Sequence, residues 1–346
     1  MKVVVCYTGG VGSQVIRLLL AHPEHELVGV LVHDEAKGGR DVGELVGTDP
    51  CGITASTDLE ELIARKPDCA LWHGVVWDRE AVGSLLRAGI NVYTGMAGFE
   101  VPLDEDEDLL AACAAGGSSL ASGGNIPGLI SDVLPLFLSG YSGSIRRIRA
   151  TQRNHVADYP SAFQLREYLS MGKTPEEARA SDAADAIWLG AQAQSARLVA
   201  DGLGVEVGET VISAKDFGCS PVATTLAASD LEIAEGAVAG VRWTFTTTTP
   251  DGRPFLDVVN EQTVVLGLGE GWRQDRDEPN WTVEVDGDPA IRCQLALAPG
   301  EASAADPATA LNAARAVNFI APLVAAEPGF VSVLDLPAPR GHLASS

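Results

Sequence analysis

A run of glycines close to the N-terminus, Thr8-Gly9-Gly10-Val11-Gly12, is the first feature with chemical content. It follows an apolar run, Val3 to Cys6, and opens a segment in which Val11, Val15, Leu18 and Leu19 share one helical face. A glycine turn between a buried strand and a helix N-terminus offers backbone N–H groups and the helix dipole to phosphate. The loop therefore predicts binding of a dinucleotide pyrophosphate at Thr8, Gly9, Gly10, Val11 and Gly12. Gly9 would let the phosphates approach, and Gly12 would let helix and strand pack closely. Tyr7 stands where such turns usually begin with Gly, so the turn must be made differently. The plain alternative is a strand–helix turn that binds nothing.

The cofactor's ribose is read after the second strand, about twenty residues past the glycines. His33 and Asp34 fall there, with Lys37 and Arg40 close behind. Asp34 suits a ribose 2′-hydroxyl and hence NAD; Lys37 and Arg40 suit a 2′-phosphate and hence NADP. All four are equally readable as solvated loop residues, and the choice between NADP and NAD stays open. Gly74, Thr94 and Asn125 complete the set of cofactor-binding candidates.

In such sheets the substrate meets the cofactor beyond the carboxyl ends of the strands. There the chain runs Thr94-Gly95-Met96-Ala97-Gly98-Phe99-Glu100-Val101-Pro102, with one carboxylate among apolar residues. An apolar setting raises a carboxyl pKa and suits Glu100 to proton transfer near neutral pH. The alternative is an exposed glutamate at a helix start. Met96, Phe99, Asn154 and Tyr159 are candidate pocket residues, and His155 stands beside Asn154 near a strand end. The acidic run Asp104 to Asp108 reads as a helix start complementing its dipole rather than a ligand set, so no metal is expected. There is no G-x-S-x-G, no H-E-x-x-H and no Walker lysine.

The elements that must position these residues alternate through the first third of the chain. Strands are predicted at Val3–Cys6, Leu27–Val32, Cys69–Trp72, Ile90–Tyr93 and Ser119–Ala121, separated by helices. Thr57 is expected to open a capping box with Glu60, and Pro127 to stand in the first turn of a helix carrying Leu129, Ile130, Val133, Leu134 and Phe137. This predicts a doubly wound parallel sheet of the Rossmann kind. Ile145–Thr151 reads as a strand and 161–201 as helices. From about Val205 to Leu297 the segments are β-rich, and Ala308–Ala326 is an apolar helix. The class is α/β, with a Rossmann domain at 1–128, an α+β substrate and dimerisation domain at 129–306, and 307–346 packing back on the first.

Bulk properties exclude other classes. The chain has 346 residues, 46% hydrophobic and 21% charged, enough for two folded cores. With 24 Lys and Arg against 47 Asp and Glu, its formal charge is −23, which argues against nucleic acid and anionic membranes. Six cysteines lie scattered without metal-like spacing and read as reduced thiols. The sequence shows no signal-peptide pattern and no apolar run of bilayer length, so a cytoplasmic location is expected.

Several stretches resemble the dihydrodipicolinate-reductase-like superfamily, in its branch of 2,4-diaminopentanoate dehydrogenases and native amine dehydrogenases. These are Val5–Gly12 with the helix to His22, Gly39-Arg40-Asp41-Val42-Gly43-Glu44-Leu45, Lys66-Pro67-Asp68-Cys69 and Ser122–Gly128 running into Asp132–Pro135. Ala316-Val317-Asn318, Glu327-Pro328-Gly329 and Leu334-Asp335-Leu336-Pro337 follow. The resemblance implies a homodimer with its active site between domains. It implies reversible oxidative deamination with NAD(P), converting a small amine to a ketone or aldehyde and ammonia, with Glu100 at the family's acidic position. Asn125 stands one place earlier than the Asn that often precedes the family's Pro, and the histidine-pair and lysine motif of true dihydrodipicolinate reductases is missing. Two other functions remain: an oxidoreductase of the same fold acting on a carbonyl, alcohol or imine without free ammonia, and a non-catalytic dinucleotide-binding sensor.

Overall fold

The computed structural model describes residues 1–21, 24–74, 77–95, 105–182, 184–298, 307–336 and 340–341. The chain divides into two units, Met1–Gly128 together with Ala298–Ser346, and Leu129–Leu297.

The first unit opens with β1 (Lys2–Cys6), α1 (Gly10–Ala21), β2 (Glu26–Leu31), α2 (Val42–Leu45), β3 (Ala55–Ser56) and α3 (Leu59–Ala64). It continues with β4 (Cys69–Trp72), α4 (Arg79–Arg87), β5 (Asn91–Thr94), α5 (Glu107–Gly116) and β6 (Ser119–Ser122). The central strands are buried because both faces are covered, and every residue of β4 and β5 is buried. The α3 cap is Asp58 rather than Thr57. Its carboxylate accepts from the N–H groups of both Glu60 and Glu61, a reach that suits the residue immediately before the helix. Asp106 caps α5 in the same manner, and Arg79 holds that carboxylate below its usual pKa range.

The second unit comprises α6 (Val133–Ser139), β7 (Ile145–His155), α7 (Ala162–Glu167), α8 (Pro175–Arg179) and α9 (Asp185–Leu203), followed by seven strands. These are β8 (Thr210–Cys219), β9 (Thr224–Leu226), β10 (Leu231–Ile233), β11 (Val238–Thr248), β12 (Pro254–Thr263), β13 (Trp281–Gly287) and β14 (Ile291–Leu295). Pro127 is not in the first turn of a helix, because α6 starts only at Val133. Between them the chain turns back, the Gly124 N–H donating to the Pro127 carbonyl at 2.6 Å, and Gly128 takes φ +130°, a left-handed value closed to a helix.

The six-stranded sheet runs β14-β13-β7-β12-β11-β8. Its β7–β12 pair is parallel and the others antiparallel. Ala196, Val199 and Ala200 of α9 pack on Ile148, Leu256 and Val258, covering one face. The β9–β10 hairpin escapes sequence reading because its strands have three residues each, too few for a period.

The chain then adds α10 (Pro307–Val324) and β15 (Gly329–Phe330) to the first unit. Its seven-stranded sheet has the order β15-β6-β5-β4-β1-β2-β3, every pair parallel. α1 and α10 bury one face and α3, α4 and α5 the other. β1 is flanked by β2 and β4, which makes its carboxyl end the switch point where ligands settle in doubly wound sheets. Among the described residues no helix is long and apolar enough to cross a membrane.

The start of α9 is tied to the sheet by Asp185. Its carboxylate accepts from Lys215 Nζ on β8 at 2.8 Å and from Trp243 Nε1 on β11 at 3.0 Å. Asp185→Ala leaves a buried indole N–H unpaired and the Lys215 ammonium with only the Ser181 carbonyl at 2.8 Å, and should lower stability by about 1–3 kcal/mol. Urea unfolding checks this; an unchanged midpoint would show that the tie contributes nothing.

Candidate functional site

The turn after β1 is built around Tyr7. It takes φ +78°, the left-handed value a glycine ordinarily supplies at this point. Such a backbone costs a non-glycine residue about 1–2 kcal/mol. The ring offsets that cost by packing edge-on against Trp72, centroids 5.3 Å apart, and against His33 at 5.8 Å. The Tyr7 N–H donates to the Leu31 carbonyl at 2.8 Å, so β1 and β2 also hold the turn. Gly12 is required by close approach: a Cβ there would lie 2.1 Å from the Tyr7 carbonyl oxygen.

α1 therefore begins directly beyond the strand. The first N–H groups of a helix have no intrahelical partner and carry the positive end of its dipole. A Cβ on Gly9 would meet nothing within 4 Å, and one on Gly10 only Thr309 Cγ2 at 4.0 Å. No acidic side chain stands in the first turn of α1 to compete with an anion. Space, donors and field all suit a pyrophosphate.

Lys37 reaches this loop, its Nζ donating to Thr8 Oγ1 at 3.1 Å. Asp34 is exposed and caps its own turn, Oδ1 accepting from the Ala36 N–H at 2.9 Å. Arg40 is exposed, its carbonyl accepting from Ala55 N–H. Thr94 is fully buried at the end of β5 and its carbonyl accepts from the Gly123 N–H at 3.0 Å. Asn125 donates Nδ2 to the Ala308 carbonyl at 3.1 Å. Gly74 is buried just past β4. The first unit thus brings Thr8, the glycines, His33 and Lys37 together around Tyr7, and places Thr94 at the end of β5 and Asn125 just beyond β6. Met96, Phe99 and Glu100 lie outside the described residues.

Sequence reasoning missed His73. It directly follows β4, and its Cβ lies 3.6 Å from where a Cβ on Gly12 would stand. Nε2 is buried without a partner, and burial lowers the pKa to about 4, so the ring is a neutral imidazole at pH 7. The available signal was its place after an apolar strand, one turn from the glycines in space but not in sequence.

In the second unit Asn154 lies on β7 with Gln262 as its strand partner, and Tyr159 is 46% exposed in the loop beyond. The structure does not bring Tyr159 into the buried interior. Burial lowers the His155 pKa, Arg276 adding to it, and its Nδ1 has no partner. Sequence reading also missed a row running across four strands: Trp281, Gln152, Asn260 and Trp243 are successive register partners. All four are buried, and Gln192 of α9 is fully buried too. Gln152 Oε1, Asn260 Nδ2, Trp281 Nε1 and both amide atoms of Gln192 lack hydrogen-bond partners. A buried unpaired polar group costs about 1–3 kcal/mol, so such groups are built to meet water or a ligand.

Two family descriptions match the chain. Residues 1–73 match the N-terminus of dihydrodipicolinate reductase, and residues 129–346 match the C-terminal domain of 2,4-diaminopentanoate dehydrogenase. An amine dehydrogenase of Streptomyces virginiae is 30% identical over 97% of this chain and 96% of its own length. The chain belongs to the amine dehydrogenase branch of the dihydrodipicolinate-reductase-like superfamily. A 4-hydroxy-tetrahydrodipicolinate reductase of Synechocystis is 26% identical over 48% of this chain and 63% of its own. The structure of an amine dehydrogenase from Mycobacterium smegmatis superposes with a TM-score of 0.77 at 20% identity, covering 99% of this chain and 97% of that one, and shows the shared fold. The protein is an NAD(P)-dependent oxidoreductase of this family, whose members act on CH–NH2 donors.

Within this family framework the turn at Tyr7 yields a stability test. Tyr7→Gly loses the ring but relieves the backbone, whereas Tyr7→Ala loses the ring and keeps the strain. The alanine variant should unfold about 1 kcal/mol more easily than the glycine variant in urea. Equal stabilities, or a more stable alanine variant, would show that the left-handed turn is not strained.

His73 gives a pH test. The unfolded side chain titrates near 6.5 and the folded one near 4. Between those values the unfolded chain takes up a proton that the folded chain refuses, so stability falls as pH drops from 6.5 toward 4. At pH 5 the loss is at most about 2 kcal/mol, a ceiling because the residue is not fully covered. His73→Asn should remove that acid-side loss in urea titrations at pH 7 and pH 5. A loss of the same size in the variant would assign it to other groups.

Proposed function

We propose that this protein is an amine dehydrogenase, catalysing reversible oxidative deamination of a small amine to a ketone or aldehyde and ammonia. The observation that carries this reading is the 30% identity along 97% of the chain to a protein named amine dehydrogenase. The open glycine turn after β1, with the donors of α1 and the Lys37–Thr8 pair beside it, suits the dinucleotide such a reaction needs.

Thr8, Gly9, Gly10, Val11 and Gly12 would hold the pyrophosphate. His33, Asp34, Lys37 and Arg40 would surround the adenosine ribose, and Gly74, Thr94 and Asn125 would stand along the rest of the dinucleotide. NAD(P), when bound, accepts a hydride from the carbon bearing nitrogen or returns it. Glu100 is the assigned base: it takes a proton from the substrate ammonium so that the nitrogen lone pair can drive hydride loss. The resulting imine gains water, and the same carboxylate moves protons between the added hydroxyl and the departing ammonia. Met96, Phe99, Asn154 and Tyr159 belong to the same assignment as pocket residues.

The row Trp281–Gln152–Asn260–Trp243 supports a substrate whose body is uncharged. Its unpaired groups are amides and an indole N–H, which pair well with neutral polar atoms and supply no counter-charge for a carboxylate. A homodimer is part of the same proposal.

The test is oxidation of NADH and NADPH with a panel of small ketones and aldehydes at alkaline pH, with and without ammonium, beside Glu100→Ala. Ammonium-dependent oxidation that falls at least about a hundredfold in the variant is the expected result. Oxidation independent of ammonium, or unaffected by the variant, would move the protein to carbonyl or alcohol chemistry. Tight cofactor binding without turnover on any carbonyl would point to a sensor.

A further inference from the structure

α10 begins nearly three hundred residues after the glycine turn, yet the fold lays it against both cofactor-side loops of the first unit. Thr309 Cγ2 is the atom that a Cβ on Gly10 would meet. One turn along, Asn312 Oδ1 lies 3.0 Å from where a Cβ on Gly124 would stand. Almost one turn further, Arg315 Nε lies 3.6 Å from the corresponding point on Gly123. Thr309, Asn312 and Arg315 recur every three residues and so form one polar stripe on a helix whose other side, Ala313, Ala316, Val317 and Ile320, is core.

Three polar atoms at this turn are buried without partners: Asn125 Oδ1, Asn312 Oδ1 and Arg315 Nε. Arg315 is only 8% exposed. Its guanidinium stacks over Phe319, 5.4 Å to the ring centroid, and stands against Tyr93, whose hydroxyl donates to the Gly123 carbonyl. Neither contact pairs Nε, which lies 3.6 Å from where a Cβ on Gly123 would stand. The Asn125 amide is oriented by its donation from Nδ2 to Ala308, so the atom left over is an acceptor. The site therefore offers one donor and two acceptors at the carboxyl ends of β5 and β6.

A primary carboxamide presents the complementary set, one carbonyl oxygen and two N–H groups. We propose that Asn312 and Arg315 of α10, with Asn125, form the pocket for the carboxamide of the nicotinamide ring. Arg315 Nε donates to the carboxamide oxygen, and Asn312 and Asn125 accept from its amino group. Holding the carboxamide fixes the ring's rotation about its ribose bond and decides which face is turned to substrate. The inference rests on the assignment of the glycine turn to the pyrophosphate.

The test compares three probes by isothermal titration: NADH (or NADPH, whichever binds more tightly), its 3-acetylpyridine analogue, which has a methyl group in place of the amino group, and ADP-ribose, which lacks the ring. Asn312→Leu and Arg315→Gln are measured beside the parent chain. Asn312→Leu should weaken the dinucleotide about tenfold, the worth of one buried hydrogen bond with its unpaired partner. ADP-ribose should bind both variants as it binds the parent, which also shows that they fold. The acetylpyridine analogue should be nearly indifferent to Asn312→Leu but weakened by Arg315→Gln, because it keeps only the carbonyl. Unchanged dinucleotide affinity in both variants overturns the proposal. So does equal weakening of ADP-ribose, which would make α10 a structural support, or equal weakening of the analogue by Asn312→Leu. Failure of the parent chain to bind ADP-ribose would instead overturn the assignment of the glycine turn.

Discussion

The contact between Gly12 and the Tyr7 carbonyl is the constraint from which the first unit follows. With no side chain at Gly12, α1 can start within van der Waals distance of the strand it leaves, a separation a Cβ would close to 2.1 Å. The chain must reverse within three residues to achieve this, and Tyr7 supplies the left-handed step that makes the reversal possible. Its ring then becomes a wedge between the ends of neighbouring strands, touching Trp72 from β4 and His33 from the loop after β2. A glycine would give the same backbone without the wedge. The aromatic version trades local strain for rigidity where a ligand's phosphates must find N–H groups already aligned.

A second consequence concerns charge. The chain is strongly acidic, yet the loop facing the proposed pyrophosphate has no acidic residue in its helical turn and has Lys37 beside it. His73 next to that turn is kept neutral by burial. The local field at the turn is therefore set by N–H dipoles and one lysine, while carboxylates elsewhere cap helices, as Asp58 and Asp106 do, or pair with arginines, as Asp257 and Glu261 do. Net charge and site charge are separate quantities here, and only the second bears on binding an anion.

The two units handle buried polarity differently. In the first, unpaired polar atoms gather at the ends of parallel strands, where α10 meets the turn at Gly123 and Gly124. In the second they lie across the middle of a mixed sheet, beneath α9 and between two tryptophans. Other buried polar groups in that unit are satisfied within the protein: Asp132 accepts from Ser195 at 2.9 Å and from the Val133 N–H at 2.6 Å. Clusters of unpaired groups at these two places are better explained by ligands than by loose packing.

The longer strands and helices of the first unit, the glycine turn and the class of cofactor were legible in the amino-acid sequence, because period, glycine spacing and β-branched runs are local signals, whereas α2, β3 and β15 are too short to show a period. Local signals also carried the family resemblance, through short stretches near both ends. They misplaced the α3 cap by one residue and started a helix at Pro127, since a cap or a turn depends on which nearby N–H a side chain reaches in space. They did not separate Lys37, which touches the glycine turn, from Arg40 in the same loop, which is exposed. His73 carried only the weak signal of its place after an apolar strand, and Asn312 and Arg315 carried none, because each matters through a neighbour tens to hundreds of residues away; the Trp–Gln–Asn–Trp row exists only once strand register is set. What the sequence determined was the order of the longer elements, the family and the class of cofactor. Which distant polar groups the fold gathers, and which it leaves unpaired, was decided by tertiary packing alone, since burial and register are properties of the assembled sheets.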